Sequence, residues 1–188
     1  PFAGATIEGA QDAARAHDRM LLLVNTGGAP DVEHKAVETL LEHRVEGIIF
    51  ATFYHRQVDP PPSLNEIPAV LLDCFTPDQT LHSVVPDEVG GGYGATEALL
   101  KAGHRRIAFI NGAEPVPATA GRLQGYRQAL ADHGIAYDPG LVRAVPSHAY
   151  SAYDGALELF DQPDRPTALF CYNDRMAMGA YDALKRLG

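Results

Sequence analysis

The sequence predicts an α/β protein made of two similar parallel-sheet lobes, and three observations carry that expectation. Short, unbroken apolar runs alternate with stretches whose apolar residues recur at helical spacing, which is the pattern of buried parallel strands joined by crossover helices. The strand-and-helix rhythm starts afresh at Ile107. Between the two halves, residues 99–126 (LLKAGHRRIAFINGAEPVPATAGRLQGY, running to Tyr126) hold a helix end at Gly103, a strand, a Gly/Pro-containing loop and a new helix. The lobes are therefore expected at 1–104 and 105–188.

In chain order, Ile7, Ala10, Ala13 and Ala14 mark an amphipathic helix over residues 2–17, and the apolar run 20–24 reads as a buried strand closed by Asn25, Thr26, Gly27 and Gly28. Asp31 can cap the next helix, whose apolar stripe is Val37, Leu40 and Leu41, and residues 47–51 (GIIFA) form another strand. The stretch 54–68 is rich in proline, which removes backbone donors, and is expected to be a loop. Strands follow at 69–73 and 82–85, and a helix rich in small residues runs from Asp87 and Glu88 to Lys101. After the central strand 107–110 come a helix at 122–133, a strand at 141–145, a helix at 149–160, a strand at 167–171 and a helix at 174–187.

Composition narrows the function. A formal charge of -9 argues against this chain wrapping a nucleic-acid backbone, because phosphate contacts need clustered Lys and Arg. No apolar run approaches the roughly 20 residues of a membrane span. Cys74 and Cys171, far apart in apolar contexts, suit reduced thiols and a cytoplasmic setting better than a disulfide. The eight histidines show no metal-ligand spacing, no Ser sits in a nucleophile elbow, and neither a cofactor nor an enzymatic activity is expected. GGGYGA (residues 90–95) lacks the third glycine and the Lys-Ser/Thr pair of phosphate loops, so close packing of its helix on the sheet explains it better.

Ligands of open parallel sheets bind beyond the carboxyl ends of the strands, and four positions fall there or nearby. Asp174, after Asn173 at a strand end, could cap the following helix or accept hydrogen bonds from ligand hydroxyls. Arg122, near the start of its helix, opposes the helix dipole and so wants a partner: Asp87, Asp174 or a polar ligand. Tyr150, on the loop after a strand, could stack on a sugar or a base, and Phe2 could do the same or staple the first helix.

These residues resemble the lactose-repressor (LacI/GalR) family of bacterial transcription regulators, over essentially the whole chain. The resemblance rests on PFAGATIEGA, RVEGIIF, VVPDEVGGGYGATEALLKAGHRRIAFING, RLQGY and RPTALFCYNDRMAMGAYDAL, of which the last, at its distance from GHRRIAFI, is the most specific. It implies the effector-binding core of such a regulator: two lobes of the periplasmic-binding-protein type I with a ligand cleft between them. By position it implies that Arg122, Asp174, Asn173 and Tyr150 bind the effector, that Phe2 lies at the first-lobe aromatic, and that Asp87 lies near the cleft. The loop before Arg122 carries Pro115, Val116, Pro117 and Ala118 where members place hydroxyl or basic contacts. The expected effector is a small polar metabolite, a sugar or a relative of one. A helix-turn-helix domain that reads operator DNA as a homodimer is implied amino-terminal to this chain. The alternative on the same fold is a periplasmic sugar-binding protein serving a transporter.

Overall fold

The computed structural model describes residues 2–188, with side chains from residue 4 onward, so the aromatic contact expected of Phe2 lies outside the described residues. The chain forms two compact units, Pro1–Pro86 and Asp87–Gly188. Each is α/β with a three-stranded parallel sheet, as the alternation of apolar runs and amphipathic stretches predicts.

In the first unit, helices α1 (Phe2–Ala16) and α2 (Pro30–Glu42) precede strands β1 (Ile48–Gln57), β2 (Ala69–Phe75) and β3 (His82–Val84), which pair in that order. Alternate strand residues face opposite sides. Ile48, Phe50 and Leu71 pack with Val37 of α2 and with Leu64, which a 3₁₀ turn at Pro62–Glu66 carries into the core. Strand β1 runs past its expected end at Ala51, because after an irregularity between Ala51 and Arg56 it pairs with β2 again through Arg56 and Gln57. Residues 20–24, expected as a strand, form none: Met20 is 83% exposed and the segment joins no ladder. An apolar run becomes a strand only when a neighbour takes its backbone hydrogen bonds, and no described strand pairs with it.

The second unit opens with α3 (Glu88–Lys101), followed by β4 (Ile107–Gly112), α4 (Pro117–Asp132), β5 (Val142–Val145), α5 (Ala149–Phe160), β6 (Ala168–Cys171) and α6 (Asp174–Leu187). The strand order β5-β4-β6 puts β4 in the middle, buried along its length. Its two faces supply two cores. Ile107 and Phe109 point to α3 and α4, where they meet Leu100, Tyr126 and Leu130, whereas Ala108 and Ile110 point to α5 and α6. Tyr126 is fully buried with its hydroxyl donating to the Ile107 carbonyl (2.8 Å), and burial pushes its pKa up to about 12.

Helix α3 thus belongs to the second unit, ahead of the 104/105 boundary expected from the sequence, because it packs along α4. That packing also corrects the reading of the glycine run. The close approach is to a helix and not to the sheet: a Cβ on Gly92 would stand 2.3 Å from the Arg122 carbonyl oxygen, and one on Gly125 only 2.1 Å from that of Val89. Helix α4 starts at Pro117, which suits a first helical position, so Arg122 sits in its second turn and not at the start expected of it.

Candidate functional site

Because β4, β5 and β6 are parallel, their carboxyl ends lie on one edge, and the helices that follow them carry Arg122, Tyr150 and Asp174 in their first two turns, with Asn173 at a helix cap. At the end of β6, Asn173 is the N-cap of α6, its Oδ1 accepting from the Met176 N–H (2.9 Å). Asp174 is the first helical residue, exposed, with no side-chain partner among the described residues. The capping role open to Asp174 is thus taken by Asn173, and the Asp174 carboxylate is left exposed at the positive end of the helix dipole. Asn173→Ala is expected to lower the unfolding free energy of this unit by about 1 kcal/mol, measured by urea titration.

Arg122 is held from three sides. Its Nε donates to Glu88 Oε2 at 2.9 Å, a second guanidinium nitrogen donates to the Tyr172 carbonyl, and the guanidinium lies 4.5 Å from the centre of the Tyr172 ring. Glu88 is only 8% exposed. Neither acid proposed as the partner of Arg122 takes that place. Asp87 caps its own helix, accepting from the Gly90 N–H (2.8 Å), and this turns its carboxylate back toward α3. One residue later, Glu88 faces α4, and its Cβ would touch a Cβ built on Gly121 (2.6 Å). Glu88 and Tyr172 were not singled out in the sequence. The signal for Glu88 was the small-residue spacing in both helices, which lets the two backbones meet.

Tyr150 lies in the first turn of α5 and not on the preceding loop; it is 69% exposed and stacks on His148, ring centres 5.6 Å apart. A groove of about 470 Å³ runs between α3, the open side of β6 and α6, with Leu99, Tyr172, Asn173, Asp174 and Tyr181 in its wall; neither Arg122 nor Tyr150 lines it. No three His, Cys, Asp or Glu residues come together to hold a metal ion among the described residues. Nor is any described helix long and apolar enough to cross a membrane.

Glu114, in the loop after β4, ties the edge together. Its Oε1 accepts from both the N–H and the hydroxyl of Ser147 (3.0 Å each) in the loop after β5. The Ser147 N–H bond, with help from the nearby His148, holds its carboxyl below the usual carboxylate range. A carboxyl whose folded pKa is depressed stabilises the fold above its unfolded pKa and loses that contribution as pH falls through the folded value. The parent is therefore expected to lose stability relative to Glu114→Gln as the pH drops below about 4.5, seen as converging melting temperatures.

Comparison with known proteins decides the family. The profile described as periplasmic binding proteins and the sugar-binding domain of the LacI family matches residues 1–188. The chain belongs to that family. The ribose operon repressor of Haemophilus influenzae is 32% identical over the whole of this chain, which spans 57% of that repressor. The chain thus covers a little over half the length of such relatives. Among solved structures, a LacI-family chain from Rhizobium etli aligns over 97% of this chain and 67% of its own, with a TM-score of 0.83 and 32% identity. The regulator CelR in complex with cellobiose aligns over all of this chain and 58% of its own, with a TM-score of 0.76 and 28% identity. These comparisons bear out the lactose-repressor resemblance read from the sequence, and the parallel α/β fold with it.

Proposed function

We propose that this chain is the effector-sensing core of a bacterial transcription regulator, and that the carboxyl edge of the second unit binds a small polar metabolite, a sugar or a close relative. The observation that carries this reading is the fixed guanidinium of Arg122 at an edge that also presents the uncommitted carboxylate of Asp174. The remaining N–H donors of Arg122 and the acceptors of Asp174 match the mixed donor and acceptor character of sugar hydroxyls. Asn173 supports Asp174 by ending the helix in front of it, the exposed ring of Tyr150 offers a stacking face, and Asp87 supports the Glu88 turn of α3. Relatives named as a ribose operon repressor and a cellobiose-bound regulator support a carbohydrate over other metabolites.

In this reading the complete protein works in the cytoplasm as a homodimer, catalyses no reaction and reads operator DNA through a separate helix-turn-helix domain. The effector acts by binding one conformation of the regulator more tightly than another; a preference of about 1–3 kcal/mol changes operator affinity about 5- to 150-fold. Calorimetric titration with D-ribose, cellobiose and a set of nucleosides tests the reading. Saturable binding that Arg122→Ala and Asp174→Ala each weaken by about tenfold or more is expected. Binding unchanged in both variants would sink the site, and no binding across the set would sink the carbohydrate reading.

A further inference from the structure

The proposed function uses Arg122 and Asp174 and leaves Glu114 without a role in recognition, although Glu114 occupies the place at this edge best suited to an anion. Helices α4 and α5 both begin there, at Val116 and His148, and neither has a side-chain cap. The positive ends of two helix dipoles thus meet at this pair of loops, and such ends favour phosphates and carboxylates. At α4 the Val116 and Thr119 N–H groups are already bonded, to the Glu114 and Val116 carbonyls (2.9 and 3.0 Å), and Pro117 has none to offer. The protein puts its own carboxylate in that position. Glu114 Oε1 takes the N–H and hydroxyl of Ser147, next to the α5 N-cap, and the Glu114 carbonyl accepts from Thr119 Oγ1 (2.7 Å) in the first turn of α4.

The other carboxylate oxygen, Oε2, is shut off from solvent and has no hydrogen-bond partner among the described residues. It faces Gly112, where a Cβ would stand 3.0 Å from it and 3.4 Å from Tyr172 Cε1. Tyr172 is the residue whose carbonyl and ring hold Arg122, so Glu114 and the guanidinium are both near one aromatic side chain. The positive charge of Arg122 is already matched by Glu88. The carboxylates this edge has left over are Glu114, with His148 nearby, and the exposed Asp174, with the exposed Arg175 next to it in the chain.

Resting on the effector reading above, we infer that Glu114 is a specificity-determining residue: by filling the niche between the α4 and α5 N-termini with a built-in anion, it admits an uncharged, hydroxyl-rich effector and excludes phosphate esters. A phosphate brought to this edge meets two carboxylates and a neutralised guanidinium, and it finds the Ser147 donors taken. A neutral hydroxyl meets no such repulsion and can donate to Asp174 while accepting from Arg122.

The 188-residue chain, with Glu114→Gln and Glu114→Ala, is titrated calorimetrically with inorganic phosphate, D-ribose and D-ribose 5-phosphate, thermal melts confirming that each variant folds. Glu114→Gln keeps an oxygen for Ser147, so it removes the charge with the least disturbance of the loop. Glu8→Gln, an exposed helix position in the first unit, makes the same change in net charge away from the niche. The parent is expected to give no saturable heat with phosphate or the ester, and both Glu114 variants to gain affinity for them by about tenfold or more, with no gain in Glu8→Gln. The inference is overturned if the parent binds phosphate or the ester as tightly as ribose. It is equally overturned if neither Glu114 variant gains phosphate affinity, or if Glu8→Gln gains as much. A gain of phosphate binding in Glu114→Gln, alongside ribose binding unaffected by Arg122→Ala and Asp174→Ala, would leave the anion gate standing and remove the effector site as assigned.

Discussion

Gly125→Ala is expected to destabilise the second unit by about 3 kcal/mol or more, at the upper end of what overpacking costs. The new Cβ would lie 2.1 Å from the Val89 carbonyl oxygen, 2.4 Å from the Tyr93 nitrogen and 2.9 Å from the Gly92 carbonyl carbon. All three are backbone atoms of α3, so no rotamer change relieves the clash. The helices must separate, and Glu88 then leaves Arg122. Gly91→Ala is the control, since a Cβ there meets nothing within 4 Å. In α3, that substitution is expected to stabilise by about 0.5–1 kcal/mol, because alanine loses less backbone freedom than glycine on becoming helical. Urea unfolding of the two variants, read against the parent, checks both signs at once.

The second large effect is expected at the ion pair. Arg122→Ala takes the guanidinium from a carboxylate that is only 8% exposed, and removing one member of a buried pair costs about 3–5 kcal/mol. It also uncovers the Tyr172 ring. Replacing both members with apolar residues of similar size, Arg122→Met with Glu88→Leu, is expected to recover most of that stability, since no charge is then left to desolvate. The double variant should still fail to bind the effector. Unfolding curves and effector titrations on the same three proteins separate the two roles: if the double variant stays as unstable as Arg122→Ala, the cost does not come from taking the guanidinium away from the Glu88 carboxylate.

Much of this was legible in the sequence. The strand that anchors the second unit, its flanking helices and the placement of Asn173 and Asp174 beyond β6 follow from apolar runs and polar breaks, which local periodicity encodes directly. Residues 20–24 have the same apolar signature as β4 yet make no strand, because a ladder depends on a neighbour and not on hydrophobicity alone. The choice of acid for Arg122 was not legible either. Asp87 and Glu88 are adjacent and chemically alike, and helix geometry sends one back to its own N-terminus and the other across to α4. The Glu114 to Ser147 contact joins residues far apart in the chain, and only the parallel pairing of β4 with β5 brings their loops together.

By itself, then, the chain's residue order determined the succession of helices and strands, the parallel sheets and the placing of Asn173 and Asp174 beyond the carboxyl end of β6, because each rests on local patterns of burial and on a strong family likeness. The tertiary structure alone decided which carboxylate neutralises the guanidinium, which residue caps α6, that the glycine run seats one helix on another, and that a second acid sits between two helix ends. Those outcomes depend on which side chains meet across tens of residues, and such meetings are set by packing once the helices and strands have come together.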